Sequence, residues 1–197
     1  MRIRPFMAAL IIILGHSCST AVSQLGTTDY DSAIKDASDR WMPGSDWVRY
    51  RAQLYQESRL DPTAVSPVGA RGIAQFMPGT WGDVAPMLEY GGFSPHIAEP
   101  AIDAGAYYLA KQMLIWTEPR PYIEVRKLGE AGYNAGSGNI IQAQRECRQR
   151  TGLCGGACRD WDEVSIYLPC VTGRHSAETI DYIEKIRYWQ LRMHAWQ

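Results

Sequence analysis

The spacing of apolar residues constrains the fold of this 197-residue chain more than any other feature of its sequence. From about residue 45 onward, apolar side chains recur every three or four positions, which is the period of an α-helix with one buried side. The clearest stripe lies near the end of the chain, at Ile180, Ile183, Ile186 and Trp189. No segment alternates apolar and polar residues convincingly, so we predict a mainly α fold.

Capping residues mark where several of these helices begin and end. Ser45 or Asp46 can cap a helix that continues through Glu57. A second helix is predicted over residues 122–135, because Gly136 follows it as a typical helix terminator. The last helix is predicted to begin near Ser176.

The composition fits one domain that does not bind nucleic acid. With 46% hydrophobic residues, the chain has enough apolar material for one compact core. Its 20 Lys and Arg are balanced by 21 Asp and Glu, so it lacks the positive field on which nucleic-acid binding depends. We therefore predict a single domain over residues 32–197 and no nucleic-acid partner.

The amino terminus predicts export. Arg2 and Arg4 precede an apolar run from Phe6 to Leu14, which is the arrangement of a secretory signal. This run is far shorter than the roughly 20 residues that span a bilayer. We predict a signal peptide and its cleavage region over residues 1–23, a tether over residues 24–31, and no permanent membrane helix.

The cleavage position decides whether the exported protein carries a lipid. Ser17-Cys18 resembles a lipoprotein signal, in which the cysteine becomes acylated, although Gly15 holds the position where such signals usually have Leu. Ala21-Val22-Ser23 offers an ordinary cleavage site as the alternative. We favour lipidation of Cys18, which would anchor the protein to a membrane.

Four cysteines remain once Cys18 is removed or acylated. In an exported chain these are expected to form two disulfides, whose pairing the sequence leaves open. Zinc is the alternative use, but their spacing lacks the paired short intervals of zinc modules. We predict no metal, and a disulfide-containing insertion in the irregular segment 145–169. The bonded residues are expected to be Cys147, Cys154 and Cys158 within it and Cys170 directly after it.

The segment with the most chemical information begins at Glu57-Ser58 and continues from Ser66 to Pro78. A Glu at the end of a helix lies far from the positive helix start, and burial would raise its pKa enough for it to donate a proton near neutral pH. An isolated Glu here would more often be a solvated helix end. However, the segment resembles the first two motifs of the soluble lytic transglycosylase family, whose domain has a lysozyme-like helical fold.

Two further motifs of that family follow in order. Gly132-Tyr133-Asn134-Ala135-Gly136 resembles the third, with Gly132 in place of the usual Ala. The fourth is matched throughout by residues 178–186, which read E-T-I-D-Y-I-E-K-I. The four motifs extend from Glu57 to Ile186, about two thirds of the chain, and chance agreement over that length is remote.

The resemblance implies a role for each matched residue. It makes Glu57 the catalytic acid and then base, with Tyr182 orienting it. It also implies that the sugar cleft is lined by Ser66, Gln75, Tyr133 and Asn134. Amide side chains suit the N-acetyl and hydroxyl groups of amino sugars because they donate and accept together. Ser66 has an equally weighted alternative role, which is to brace its own loop.

The implied reaction is cleavage of the β-1,4 bond between N-acetylmuramic acid and N-acetylglucosamine in peptidoglycan glycan strands, giving a 1,6-anhydro product without a cofactor. The alternatives are a hydrolase of lysozyme type and a catalytically inactive peptidoglycan-binding protein. A hydrolase needs a second carboxylate, for which Asp61, Asp83 and Glu130 are the candidates. Export and the substrate together predict a periplasmic protein, anchored to the outer membrane if Cys18 is acylated.

Overall fold

The computed structural model describes residue 26 and residues 28–151 and 157–196, and within them the fold is mainly α, as predicted. Two isolated bridges in the loop after the second helix are the only β pairing in this described part. Short 3-10 helices occupy Ala85–Leu88 and Gly173–His175. The α-helices are α1 Asp31–Trp41, α2 Trp47–Ser58, α3 Pro78–Val84, α4 Ala98–Met113, α5 Tyr122–Ala135, α6 Ser137–Thr151, α7 Trp161–Ser165, α8 Leu168–Thr172 and α9 Ser176–His194.

Helix α2 is the centre of the domain. Every residue from Val48 to Tyr55 is buried, which is the pattern of a helix surrounded by others on all sides. It packs closely against α9 and also against α1. The helix begins as predicted, because the Asp46 side chain accepts a hydrogen bond from the backbone N–H of Val48 at 3.0 Å.

The end of α2 is fixed by its own last residues. Arg59 has a φ of 61°, the left-handed conformation that stops a helix. The preceding Ser58 donates its hydroxyl to the carbonyl oxygen of Ile73 at 2.8 Å. This bond holds the loop between α2 and α3 against the carboxyl end of α2.

That loop is compact, and at Gly72 it has no space for a side chain. Gly72 has a φ of 77°, and a Cβ atom placed there would lie 1.8 Å from the carbonyl oxygen of Pro95. Within the loop, Arg71 and Phe76 exchange two backbone hydrogen bonds at 2.9 and 3.0 Å. The loop therefore has a defined shape, with Gln75 partly buried and Met77 exposed on it.

One of the two expected disulfides is present and the other is not. Cys147 and Cys158 are bonded, with their Cα atoms 5.9 Å apart, which is an ordinary separation for a disulfide. Cys170 is a free thiol, so the prediction that it pairs is wrong. Its side chain is exposed on the short helix α8, whereas the bonded sulfurs are buried. Cys154 lies outside the described residues.

The predictions for the signal peptide and Cys18 concern residues that are not described. Of the predicted tether, residues 24, 25 and 27 are likewise not described, whereas residues 26 and 28–31 are. The first described helix begins at Asp31, one residue before the predicted start of the domain. Among the described residues, no helix combines the length and the apolar character needed to cross a membrane.

Candidate active site

Glu57 lies in the last turn of α2, where a hydroxyl group from α9 meets it. Tyr182 donates a hydrogen bond to Oε1 of Glu57 at 2.5 Å. Burial raises the pKa of Glu57 to about 7, although the bond from Tyr182 lowers it and the negative charge of Glu178 raises it further. A carboxyl group with this pKa is available in both protonation states near neutral pH, as acid–base chemistry requires.

Three phenols lie within electrostatic range of this carboxyl group: Tyr50 and Tyr182 are buried, and Tyr133 is partly buried. All three have pKa values well above the usual one, because burial and the charge of Glu57 both disfavour their ionisation. The hydroxyl of Tyr50 donates to the carbonyl of Ile102 at 2.6 Å, and that of Tyr133 donates to the carbonyl of Ala74 at 2.8 Å. Among these three phenols, Tyr182 is therefore the one bonded to Glu57.

Glu178 is the carboxylate that the structure brings within electrostatic range of Glu57. It lies in the first turn of α9 and is exposed. It lines a cavity of about 130 Å³ together with Asn134, Asn139 and His175. Its position in the first turn of α9 suits a charge–dipole role, and its charge also raises the pKa of Glu57.

The predicted cleft residues of α5 adjoin this region. Tyr133 packs edge-on against Tyr108 with ring centroids 5.1 Å apart. The next residue, Asn134, accepts a hydrogen bond from the hydroxyl of Thr179 at 2.8 Å. This bond fixes the orientation of the Asn134 amide beside the small cavity.

Ser66 and Gln75 both make bonds inside their own loop. The Ser66 hydroxyl accepts from the backbone N–H of Ala70 at 2.9 Å, which is the loop-bracing alternative considered from the sequence. Gln75 has a φ of 48°, and its amide nitrogen donates to the carbonyl of Gly72 at 2.9 Å. The side chain of Gln75 is only partly buried, so contact with a ligand remains open to it.

The three carboxylates proposed from the sequence as partners of Glu57 have other surroundings. Asp61 accepts hydrogen bonds from the backbone and hydroxyl of Thr63, both at 2.7 Å, in a turn. Asp83 is exposed on α3. Glu130 is fully buried and is bound by Arg49 at 2.6 Å and by Arg126 at 2.8 Å.

Two features of the site were missed from the sequence. Tyr50 was not named as a site residue from the sequence, yet its position seven residues before Glu57 places it on the same side of α2, about two turns away. That spacing could have identified it. The contact of Arg49 with Glu130 joins residues 81 positions apart, and no local signal predicts it.

Other features of the described part lie away from Glu57. A larger cavity of about 490 Å³ lies between α1, α4 and Tyr90 and does not include any of the predicted site residues. No three His, Cys, Asp or Glu side chains among the described residues are grouped so that they could hold a metal ion. The absence of a cofactor stays a prediction.

Comparisons with known proteins identify the family. The profile of the family described as "Transglycosylase SLT domain" matches residues 37–152. Membrane-bound lytic murein transglycosylase F 1 of Alkalilimnicola ehrlichii is 33% identical over 177 residues, covering 82% of this chain and 33% of that protein. Membrane-bound lytic murein transglycosylase F of Actinobacillus pleuropneumoniae is 31% identical over 72% of this chain and 30% of its own length.

A solved structure also resembles this fold. The crystal structure of the 70 kDa soluble lytic transglycosylase of Escherichia coli superposes with a TM-score of 0.57 and 25% identity, covering 82% of this chain and 24% of that one. The chain thus spans about a third or less of the length of these relatives. Because the family profile matches more than half of the chain, and a 33% identical relative aligns with 82% of it, the chain belongs to the transglycosylase SLT domain family.

Proposed function

We propose that this protein is a peptidoglycan lytic transglycosylase. Its substrate is the β-1,4 bond between N-acetylmuramic acid and N-acetylglucosamine, and its product carries a 1,6-anhydromuramoyl end. The observation that carries the proposal is the contact of Tyr182 with Glu57, whose pKa of about 7 suits a proton donor. Membership of the family, whose relatives are named lytic murein transglycosylases, supports it.

The reaction uses Glu57 twice. The protonated carboxyl group first donates its proton to the oxygen of the glycosidic bond, and the substrate's own N-acetyl group stabilises the positive sugar centre. The Glu57 carboxylate then accepts the proton of the 6-hydroxyl group as that oxygen closes the anhydro ring. Tyr182 orients the carboxyl group throughout, and the cleft is formed by Tyr133, Asn134, Gln75 and Ser66.

Hydrolysis is a second candidate because one observation favours it. A hydrolase activates water with a second carboxylate or uses that carboxylate as a nucleophile. Glu178 is a carboxylate whose charge reaches Glu57. By contrast, Asp61, Asp83 and Glu130 are engaged or exposed elsewhere. An inactive binding protein is the third possibility, and the retained pair of Glu57 and Tyr182 argues against it.

The product distinguishes the first two candidates. Digestion of purified sacculi by the native protein should release muropeptides that are about 18 Da lighter than hydrolytic products, because the sugar's own hydroxyl replaces water as the nucleophile. Mass spectrometry of the released fragments measures this difference directly. Fragments dominated by reducible ends would identify a hydrolase, and Glu178 would then be the first residue to replace.

The pH dependence of cleavage should follow the protonation of Glu57. Because the acid form is required and its pKa is about 7, kcat/KM should fall about tenfold for each unit of pH above that value. Glu178→Gln removes a negative charge that raises the pKa of Glu57, so this alkaline limb should move to lower pH. The profile is measured from the rate of muropeptide release between pH 5 and 9, a range of roughly two units on either side of the midpoint.

A matched variant controls for the change of charge. Glu184→Gln makes the same chemical change on the same helix, but Glu184 is exposed beside Arg187 and is not among the groups that shift Glu57. Its profile should coincide with that of the native protein. An alkaline limb at the same pH in the Glu178 and Glu184 variants would contradict the electrostatic coupling.

We also propose where the protein acts. The apolar run after Arg2 and Arg4 indicates export, and peptidoglycan as substrate places the enzyme in the periplasm. Acylation of Cys18 would anchor it to a membrane, which agrees with the description "membrane-bound" in the names of its relatives.

A further inference from the structure

Arg49 joins the three helices that supply Glu57, Tyr133 and Tyr182. It lies on α2 and binds both carboxylate oxygens of Glu130 on α5, through Nε at 2.8 Å and Nη2 at 2.6 Å. Its remaining nitrogen, Nη1, donates to Oε1 of Gln190 on α9 at 3.0 Å. One guanidinium group therefore fixes α2, α5 and α9 relative to one another.

The contact with Gln190 sets the register between the antiparallel helices α2 and α9. Arg49 precedes Glu57 by eight residues, and Gln190 follows Tyr182 by eight residues. Eight residues make about two helical turns, or about 12 Å along each helix. The contact of Arg49 with Gln190 and the contact of Glu57 with Tyr182 are thus two polar links at matching positions along the same helix pair.

Between these two links the helices meet through apolar side chains and one further hydrogen bond, which Nε1 of Trp189 donates to Oε1 of Gln56 at 3.1 Å. Leu54, Ile183 and Ile186 are fully or almost fully buried between them. Apolar contacts have no strong directional preference, whereas a bidentate guanidinium–carboxylate pair fixes both distance and angle. The Arg49 side chain is only 6% exposed and that of Glu130 is 0% exposed, so water does not weaken this link.

We propose that Arg49 is a positioning residue, which fixes the register of α2 against α5 and α9 so that the Tyr182 hydroxyl meets the Glu57 carboxyl group. The expected effect on reaction rate rests on the proposed function. The expected effect on the Glu57–Tyr182 contact is independent of the proposed function, because that contact can be measured without substrate.

The test is Arg49→Lys in the otherwise native protein. Lysine keeps the buried positive charge but cannot make the forked pair with Glu130 and also reach Gln190. We expect kcat for muropeptide release to fall by about tenfold to a hundredfold, because the acid and its orienting hydroxyl lose their alignment. KM should stay within about twofold, since no residue of the cleft is changed.

Arg51→Lys is the matched control. It makes the same substitution on the same helix at a side chain that is equally buried, at 2% exposed. Its partner at 2.7 Å is Asp31, which lies on α1, a helix that supplies no residue to the site. If Arg51→Lys loses as much thermal stability as Arg49→Lys but keeps the native kcat, the effect of Arg49 on kcat comes from positioning and not from a general structural role.

A titration of the Glu57 carboxyl group supplies the second readout. The groups that shift its pKa are Tyr182 and Glu178 from α9. Tyr133 from α5 and Tyr50 from its own helix are the nearby phenols whose ionisation the Glu57 charge disfavours. Since the bond from Tyr182 lowers the pKa of Glu57, weakening it should raise the midpoint by roughly half a unit or more. The signal is followed by carbon-13 NMR and assigned with Glu57→Gln.

The outcomes distinguish this proposal from the proposed function. A native protein that releases no muropeptides would contradict the function, while the NMR midpoints of the two lysine variants would still test the register. Equal kcat values and unchanged midpoints in both variants would overturn the role of Arg49. If Arg49→Lys does not fold, Gln190→Met removes the link from Arg49 to α9 together with the bond from Gln190 to Asp46, and the same two readouts apply.

Discussion

We expect Glu57→Gln to abolish the release of muropeptides while leaving the fold intact. The loss of general acid catalysis costs roughly two to four orders of magnitude in rate. Glutamine keeps the shape of the side chain, and its amide oxygen can still accept the hydrogen bond from Tyr182. It cannot donate a proton to the glycosidic oxygen or accept one from the 6-hydroxyl group, so both uses of Glu57 are lost together.

Glu184→Gln again provides the control for this change. Glu184 lies on α9, is exposed and pairs with Arg187 at 3.6 Å, so its replacement should change neither rate nor stability measurably. Both variants should unfold at temperatures close to that of the native protein. If the Glu57 variant cleared sacculi at the native rate, Glu57 would not be the acid.

The second large effect concerns stability. Glu130→Leu should lower the free energy of unfolding by about 3 to 5 kcal/mol, because it leaves two buried guanidinium groups without their counter-ion. Arg49 and Arg126 are 6% and 1% exposed, and both lie within 2.8 Å of the Glu130 oxygens. Urea denaturation at neutral pH measures the difference between this variant and the native protein.

A combined variant tests whether the loss comes from uncompensated charge. Replacing Arg49, Arg126 and Glu130 together by Met, Met and Leu removes every charge of the cluster. Apolar replacement of a whole buried ion cluster is often neutral or stabilising, so much of the lost stability should return. A Glu130→Leu variant as stable as the native protein would show that the cluster contributes little.

Much of the helical fold could be predicted because its signals are local. Asp46 caps α2, Gly136 follows the end of α5, and α9 begins at Ser176, all as the sequence indicated. The short helices α7 and α8 were not predicted. Each has five residues, fewer than two turns, which is too short to produce a periodic stripe.

The part of the site that depends on local sequence was predicted, and the part that depends on packing between distant helices was not. The position of Glu57 at a helix end follows from its own segment, and the family motifs suggested Tyr182 as its partner. The influence of Glu178 on Glu57 and the bond from Arg49 to Glu130 depend on how distant helices pack. The Cys147–Cys158 pairing and the free thiol of Cys170 are likewise set by tertiary structure, which the even count of cysteines could not resolve.

The contact between Tyr182 and Glu57 spans 125 residues of the chain, and this separation affects when activity can arise. Contacts between distant segments form late in folding, because a long loop must close before they contribute. A chain emerging during synthesis displays α2 well before α9 exists, so its catalytic helix has neither its main packing partner nor its orienting hydroxyl. On the proposed function, muropeptide release should therefore require the last helix to have docked, and a chain that ends before α9 should keep Glu57 without the group that orients it.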